Sequence, residues 1–278
     1  MPLKLMFITN SVDIAKIAQD AGVDRIWIDM EWIGKDERQK GLNTVKSHHT
    51  IEDIKNLRPV VNRSELLVRI NPINEHTKNE VDETIEAGAD IIMLPMFKTI
   101  EEVNYFIECV NKRVKTMLLI ETPDAVNIVD ELIKIKEIDE FHIGLNDLSI
   151  AMKKTFMFDL LKDGIVDHII EILKKSGKPY GFGGIARIGK GLVKSEYVIR
   201  EHYRLGSTRA ILSRSFANVN IEKDLNVLRP LFINGVLEIR NEEKNCLLLS
   251  KEELEQNKEH INILISDVDE RLKNGQTN

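Results

Sequence analysis

Cysteine is scarce in this chain: Cys109 and Cys246 stand far apart and outside any metal-ligand spacing. That excludes a disulfide framework and fits reduced thiols in a cytoplasmic protein, with Cys109 a core residue of a helix. No apolar run approaches the ~20 residues needed to span a bilayer, so no membrane partner is expected. The opening Met-Pro-Leu-Lys-Leu-Met-Phe reads as a short strand, not as the apolar core of a signal peptide. Basic residues do not dominate either. Lys and Arg number 39 against 45 Asp and Glu, a net charge of -6, which speaks against a nucleic-acid partner. No Gly-rich phosphate fingerprint follows the first strand, which disfavours a dinucleotide fold. Gly181-Phe-Gly-Gly184 lies on a strand rather than opening a helix, so it is no phosphate loop. No histidine pair or cysteine cluster suggests zinc. No lysine stands at a strand end to form a Schiff base.

What the chain does have is alternation. Short strand-like runs and helix-like runs follow one another from Leu3 to Ser213, eight pairs in all. The expected strands are 3–9, 25–31, 66–70, 91–97, 116–121, 140–144, 180–185 and 209–213. They are apolar on both faces, as in a parallel sheet covered on both sides. Eight units favour a closed (β/α)8 TIM barrel over an open doubly wound sheet. Residues 1–220 are read as the barrel and 221–278 as a C-terminal helical extension packing on the barrel or on a neighbouring subunit. In the extension, Leu231–Arg240 looks hairpin-like. A charged helix from Lys251 to Leu272 carries an apolar stripe of Leu254, Ile261, Leu264, Ile265, Val268 and Leu272. One helix is expected over 124–136.

In such a barrel the site is built where strands end. Strand two ends at Asp29 and Glu31, strand three at Arg69, strand five at Glu121 and strand six at Asp147. Glu121 and Asp147 are the metal candidates, because oxygen-only ligands suit a hard cation such as Mg2+ or Mn2+. The structural alternative assigns Glu121 to the start of the helix at Thr122-Pro123-Asp124, and Asp147 to capping Leu148–Met152. Arg69 could clamp a substrate carboxylate and steady an enolate oxygen, and could equally be an ion-pair partner of Asp29 or Glu31. The connection Trp32–Thr50 is long for a βα loop. It carries Lys35, Arg38, His48 and His49, cations that could meet an anionic group.

Asp29-Met-Glu31, Arg69, Ile-Glu121-Thr-Pro and Gly144-Leu-Asn-Asp147-Leu-Ser149 together resemble the HpcH/HpaI aldolase and citrate lyase family, over roughly Leu3 to Phe216. The resemblance implies a (β/α)8 barrel with Mg2+ or Mn2+ on Glu121 and Asp147. It implies that Arg69 contacts a 2-keto acid and that backbone amides of Gly144, Leu145 and Asn146 hold its carboxylate. The implied chemistry is making or breaking a carbon–carbon bond beside a pyruvate-type enolate, with an aldehyde or an acyl-CoA as the other substrate. A homo-oligomer is also implied. The chain departs from the pyruvate aldolase branch at Trp32, where that branch has a histidine, so the base lies among His48, His49 and Glu31. Asp29, Glu31, Arg69 and His49 form the expected catalytic set. Two other readings stay open: a lyase of malyl-CoA or citryl-CoA type, and a barrel that only binds its ligand. An isomerase barrel with a phosphate cradle after strands seven and eight finds only half of that cradle in Gly183-Gly184.

Overall fold

The structure, a computed structural model, describes residues 1–34 and 48–274. Lys35 and Arg38 of the long loop lie outside the described residues. Eight parallel strands close on themselves in sequence order, β1 pairing with both β2 and β8. They are β1 Lys4–Ile8, β2 Arg25–Asp29, β3 Glu65–Arg69, β4 Ile91–Leu94, β5 Lys115–Ile120, β6 Glu140–Ile143, β7 Tyr180–Ile185 and β8 Arg209–Leu212. The helices are α1 Val12–Asp20, α2 Ile51–Leu57, α3 Thr77–Glu86, α4 Ile100–Val110, α5 Pro123–Asn127, α6 Val129–Leu132, α7 Leu145–Ala151, α8 Asp159–Lys162, α9 Ile165–Lys174, α10 Ser195–Leu205, α11 Leu225–Cys246 and α12 Lys251–Lys273.

The strand period of two sorts each strand into two cores. Outward residues such as Ile26, Ile28, Leu66, Val68, Leu118, Ile120, Phe141 and Ile143 join the large cluster under the helices. Their inward neighbours Met6, Trp27, Leu67, Ile91, Met93, Met117 and Leu119 form a separate plug inside the barrel. A parallel strand buried on both faces needs this double apolar code. Pro95 falls just beyond the end of β4, where its missing N–H costs no ladder bond.

Local chemistry sets the helix starts. Thr99 and Ser250 make capping boxes with Glu102 and Glu253. The segment expected as one helix over 124–136 is two, α5 and α6, broken at Ile128 (φ -107°). Its β-branched run Val126-Asn-Ile128-Val129 has weak helix propensity, and packing of Ala125, Val129 and Leu132 decides the path. Cys109 is buried within α4, and both cysteines are free thiols.

The expected hairpin at Leu231–Arg240 is not there: those residues lie inside the 22-residue helix α11. Leu228, Phe232, Val236 and Ile239 recur at helical spacing on its buried face. Gly235, a turn signal in isolation, instead lets the helix approach the barrel. A Cβ there would stand 2.8 Å from the Phe216 ring. Pro230 removes one N–H near the start of the helix, a small loss beside that packing. Within this chain α11 lies against α1 and α10, and α12 against α10 and α8. Arg240 on α11 donates to Leu3 O (2.8 Å) and pairs with Asp24 (3.0 Å), tying the extension to the first strand. Asn257 on α12 donates to Glu201 of α10 at 3.0 Å.

Candidate active site

Register places the first pair. Asp29 and Arg69 are Cα partners across β2 and β3. The Arg69 Nε and Nη2 atoms donate to the two Asp29 carboxylate oxygens at 2.8 and 2.9 Å. Its Nη1 atom lies 3.1 Å from Glu31 Oε2 and 4.0 Å from Glu121 Oε2. The guanidinium also sits 5.4 Å above the Trp27 ring, a cation–π contact. Burial works against the charge on Arg69. Asp29 and Glu31 more than offset it and hold its pKa well above the ordinary value. So the ion pair foreseen from sequence is formed, and it also aims the arginine into the barrel mouth.

The acids on β5 and β6 come together through the neighbouring register. Ile120 and Ile143 are partners, so Glu121 and Gly144 are the next residues out. A Cβ on Gly144 would stand 2.8 Å from Glu121 Oε2. Gly144 caps α7, which starts at Leu145, so Asp147 lies in its first turn and does not cap Leu148–Met152. Nor does Glu121 cap the next helix. That task falls to the Thr122 hydroxyl, which accepts from Ala125 N at 3.0 Å. Glu121 instead accepts from Met96 N at 3.1 Å. Met96 holds a left-handed backbone (φ 54°), an uncommon conformation for a residue with a side chain. Burial pushes the Glu121 carboxyl well above the usual carboxylate range; Arg69 opposes this, while Glu31 and Asp147 reinforce it.

A cavity of about 270 Å3 opens over these groups. Asp29, Arg69, Glu121, Gly144, Leu145, Asn146 and Asp147 line it. A wider groove at the opposite face, of about 690 Å3, contains none of them. Glu31 is buried behind Arg69. His49 stands at the β2 exit, where its Nδ1 accepts from Asp29 N at 3.0 Å, and it lines an adjoining cavity. His48 is exposed. Lys4 and Lys115, the strand lysines, are first residues of their strands at the far rim, and both pair with Glu65. Trp32 is 64% exposed.

The residues fit a hard divalent cation. The donor set is oxygen only, one carboxylate is desolvated and crowded by acids, and Gly144 leaves free the space a Cβ would fill against it. Among the described residues no group of three or more His, Cys, Asp or Glu forms a ready-made cage. Two carboxylates leave coordination positions for water and substrate. Sequence reading missed the Met96 N–H, the Trp27 face, and Ser213 and Arg214, which also line the cavity. Pro95 at a strand exit was the available signal for the first, and the position just past β8 for the last two.

Residues 4–159 match the family model described as HpcH/HpaI aldolase/citrate lyase. No curated protein matches the chain. Among solved structures, a HpcH/HpaI aldolase/citrate lyase family protein from Burkholderia cenocepacia J2315 is similar with a TM-score of 0.62 at 15% identity, covering 82% of this chain and 95% of its own. A HpcH/HpaI aldolase from Desulfitobacterium hafniense DCB-2 gives 0.60 at 15%, over 82% and 93%. The citrate synthase SbnG gives 0.60 at 16%, over 82% and 94%. At such identities the likeness shows the shared barrel.

Proposed function

Because the chain belongs to the HpcH/HpaI aldolase/citrate lyase family, we propose that it is a divalent-metal-dependent carbon–carbon lyase working beside a pyruvate-type enolate. The observation that carries this reading is the buried Glu121 and the half-buried Asp147 set with Arg69 in one cavity. Mg2+ or Mn2+ held by Glu121 and Asp147 would supply Lewis-acid polarisation of a keto oxygen.

The chain's own residues do the rest. Asp29 and Glu31 keep the Arg69 guanidinium charged and fixed, so it donates to the oxygen where negative charge grows. The first N–H groups of α7 have no partner within the helix. Those of Leu145 and Asn146, at the cavity wall, receive the keto-acid carboxylate. His49 accepts at Nδ1, so a neutral ring carries its proton on Nε2. It gives that proton to the oxygen formed when the donor carbon joins an aldehyde. The Trp27, Leu119 and Ile211 side chains keep the cavity largely dry.

The test is deuterium exchange into the methyl group of pyruvate, together with oxaloacetate decarboxylation. Both are expected to stop with EDTA and return with Mg2+ or Mn2+. Activity indifferent to chelation would overturn the metal assignment, and a barrel that only binds would show no exchange at all.

A further inference from the structure

Past the end of β2, a side chain takes over from the backbone ladder. Met30 N still donates to Arg69 O at 3.0 Å. Beyond that rung, Asn71 Oδ1 accepts from Trp32 N at 3.0 Å and from Ile33 N at 3.1 Å. The other end of the same amide, Nδ2, donates to Glu80 Oε1 on α3 at 2.8 Å, and Asn71 N donates to that oxygen at 3.1 Å. Asn71 is buried. A carboxylate only accepts, so Glu80 fixes the Nδ2 end and turns the amide oxygen toward the β2 exit. Among the described residues no basic side chain pairs with Glu80, so it serves as an acceptor and not as a counter-charge.

What this clamp encloses is Glu31. Its neighbours on both sides, Met30 and Trp32, are tied by their N–H groups to the β3 exit. Its own N–H donates to Asp29 Oδ1 at 3.3 Å. Its carboxylate lies 3.1 Å from Arg69 Nη1, the guanidinium nitrogen that Asp29 does not hold. Nη1 is also the atom that reaches toward Glu121 Oε2, at 4.0 Å. So the place of Glu31 decides where this end of the arginine points. Asn71 and Glu80 themselves stand outside the cavity wall.

We propose that Asn71, set by Glu80, is a positioning residue: it holds the Glu31 segment so that Arg69 meets the oxygen on which enolate charge develops. This rests on the lyase reading above. A donor aimed at growing charge stabilises it only when correctly placed, and a shift of about 1 Å costs up to about 100-fold in rate. Asn71 acts on the reaction through Glu31 and Arg69.

The test measures deuterium exchange into pyruvate with Mg2+, and its inhibition by oxalate, a planar dianion that mimics the enolate. Asn71→Ala is expected to lower kcat by about 10- to 100-fold while the KM for pyruvate stays within about threefold. The oxalate inhibition constant rises by the factor that kcat loses, because both report binding of the charged oxygen. Glu80→Ala shifts both in the same direction, and Glu80→Gln, which keeps an accepting oxygen, recovers most of the loss. Asn71→Asp keeps an oxygen for Trp32 and Ile33 but sets it against the Glu80 carboxylate, so it falls between the wild type and Asn71→Ala. A share of unfolded protein lowers kcat without moving the oxalate constant, which separates positioning from mere stability. An oxalate constant unchanged in Asn71→Ala and Glu80→Ala, or a KM that rises as much as kcat falls, overturns the proposal while wild-type exchange still stands. A wild type without exchange overturns the lyase reading and the proposal with it.

Discussion

The barrel interior carries a buried ionic cluster at each end, and the two are built differently. At the lower end Glu140 sits between Arg25 and Arg209. Its Oε2 accepts from Arg25 Nη1 (2.6 Å) and Arg209 Nε (2.8 Å), and its Oε1 from Arg25 Nη2 (2.7 Å) and Arg209 Nη2 (3.0 Å). Burial raises the Glu140 pKa, but these hydrogen bonds win and bring it down to about 2. At the upper end Arg69 pairs with Asp29 and Glu31 and reaches toward Glu121, whose carboxyl is pushed up. Between them lie the apolar plug and His142, which burial keeps neutral by lowering its pKa to about 3. The lower carboxylate has all the donors it needs. Among the described residues the upper cluster gathers acids of three strand ends around Arg69, and the raised Glu121 carboxyl lies in a cleft, as functional carboxyls do.

The sharpest way to break this contrast is to neutralise one acid at each end. Glu121→Gln is expected to lower kcat/KM by about 1000-fold and to leave the thermal midpoint unchanged or higher, since it removes a crowded charge. Glu140→Gln should do the reverse. Buried Arg209 loses its counter-charge and buried Arg25 keeps only Glu65, at a cost of about 3–5 kcal/mol. That is a drop of roughly 6–20 °C for a chain this size, read by calorimetry. If both variants behave alike, the distinction between the ends is void.

A smaller effect probes the space beside Glu121. Gly144 has φ -83°, which alanine adopts freely, so Gly144→Ala acts through its Cβ pressing on the carboxylate. Activity and Mn2+ affinity, followed by titration, should fall about 10- to 100-fold with little change in stability. Unchanged affinity would mean that Glu121 does not need that space.

The smallest effect is acid sensitivity at the lower end. The Glu140 pKa falls from 4.5 in the unfolded chain to about 2 in the fold, so its stabilisation is complete above 4.5. It is lost as the pH drops through that window, about 1–2 kcal/mol of it by pH 3. Melting curves between pH 6 and pH 3 should fall less steeply in Glu140→Gln than in the wild type.

Much of this was legible beforehand because strands of a closed barrel obey a simple code. Arg25, Trp27 and Asp29 alternate with Ile26 and Ile28 in a single heptapeptide, and the acids at positions 29, 121 and 147 mark where apolar runs stop. The rest depended on partners distant in the chain. Pro95 marks a strand exit beside Met96, but only the fold shows that the Met96 N–H meets Glu121. The position of Arg214 just past β8 marks it as a rim residue, but only the fold shows that it borders a cavity with Asn10 and His49. In α11, Pro230 and Gly235 read locally as breakers, and only Phe216 explains the glycine.

By itself the sequence determined the eight β/α units, the inward and outward faces of each strand, and which acids end them. These follow from period-two burial, a property of adjacent residues. How the charges pair across the strands was decided only in three dimensions. Barrel closure and strand register set the Asp29–Arg69, Arg25–Glu140 and Glu121–Gly144 neighbours, and electrostatic balance depends on distances between strands, not along them.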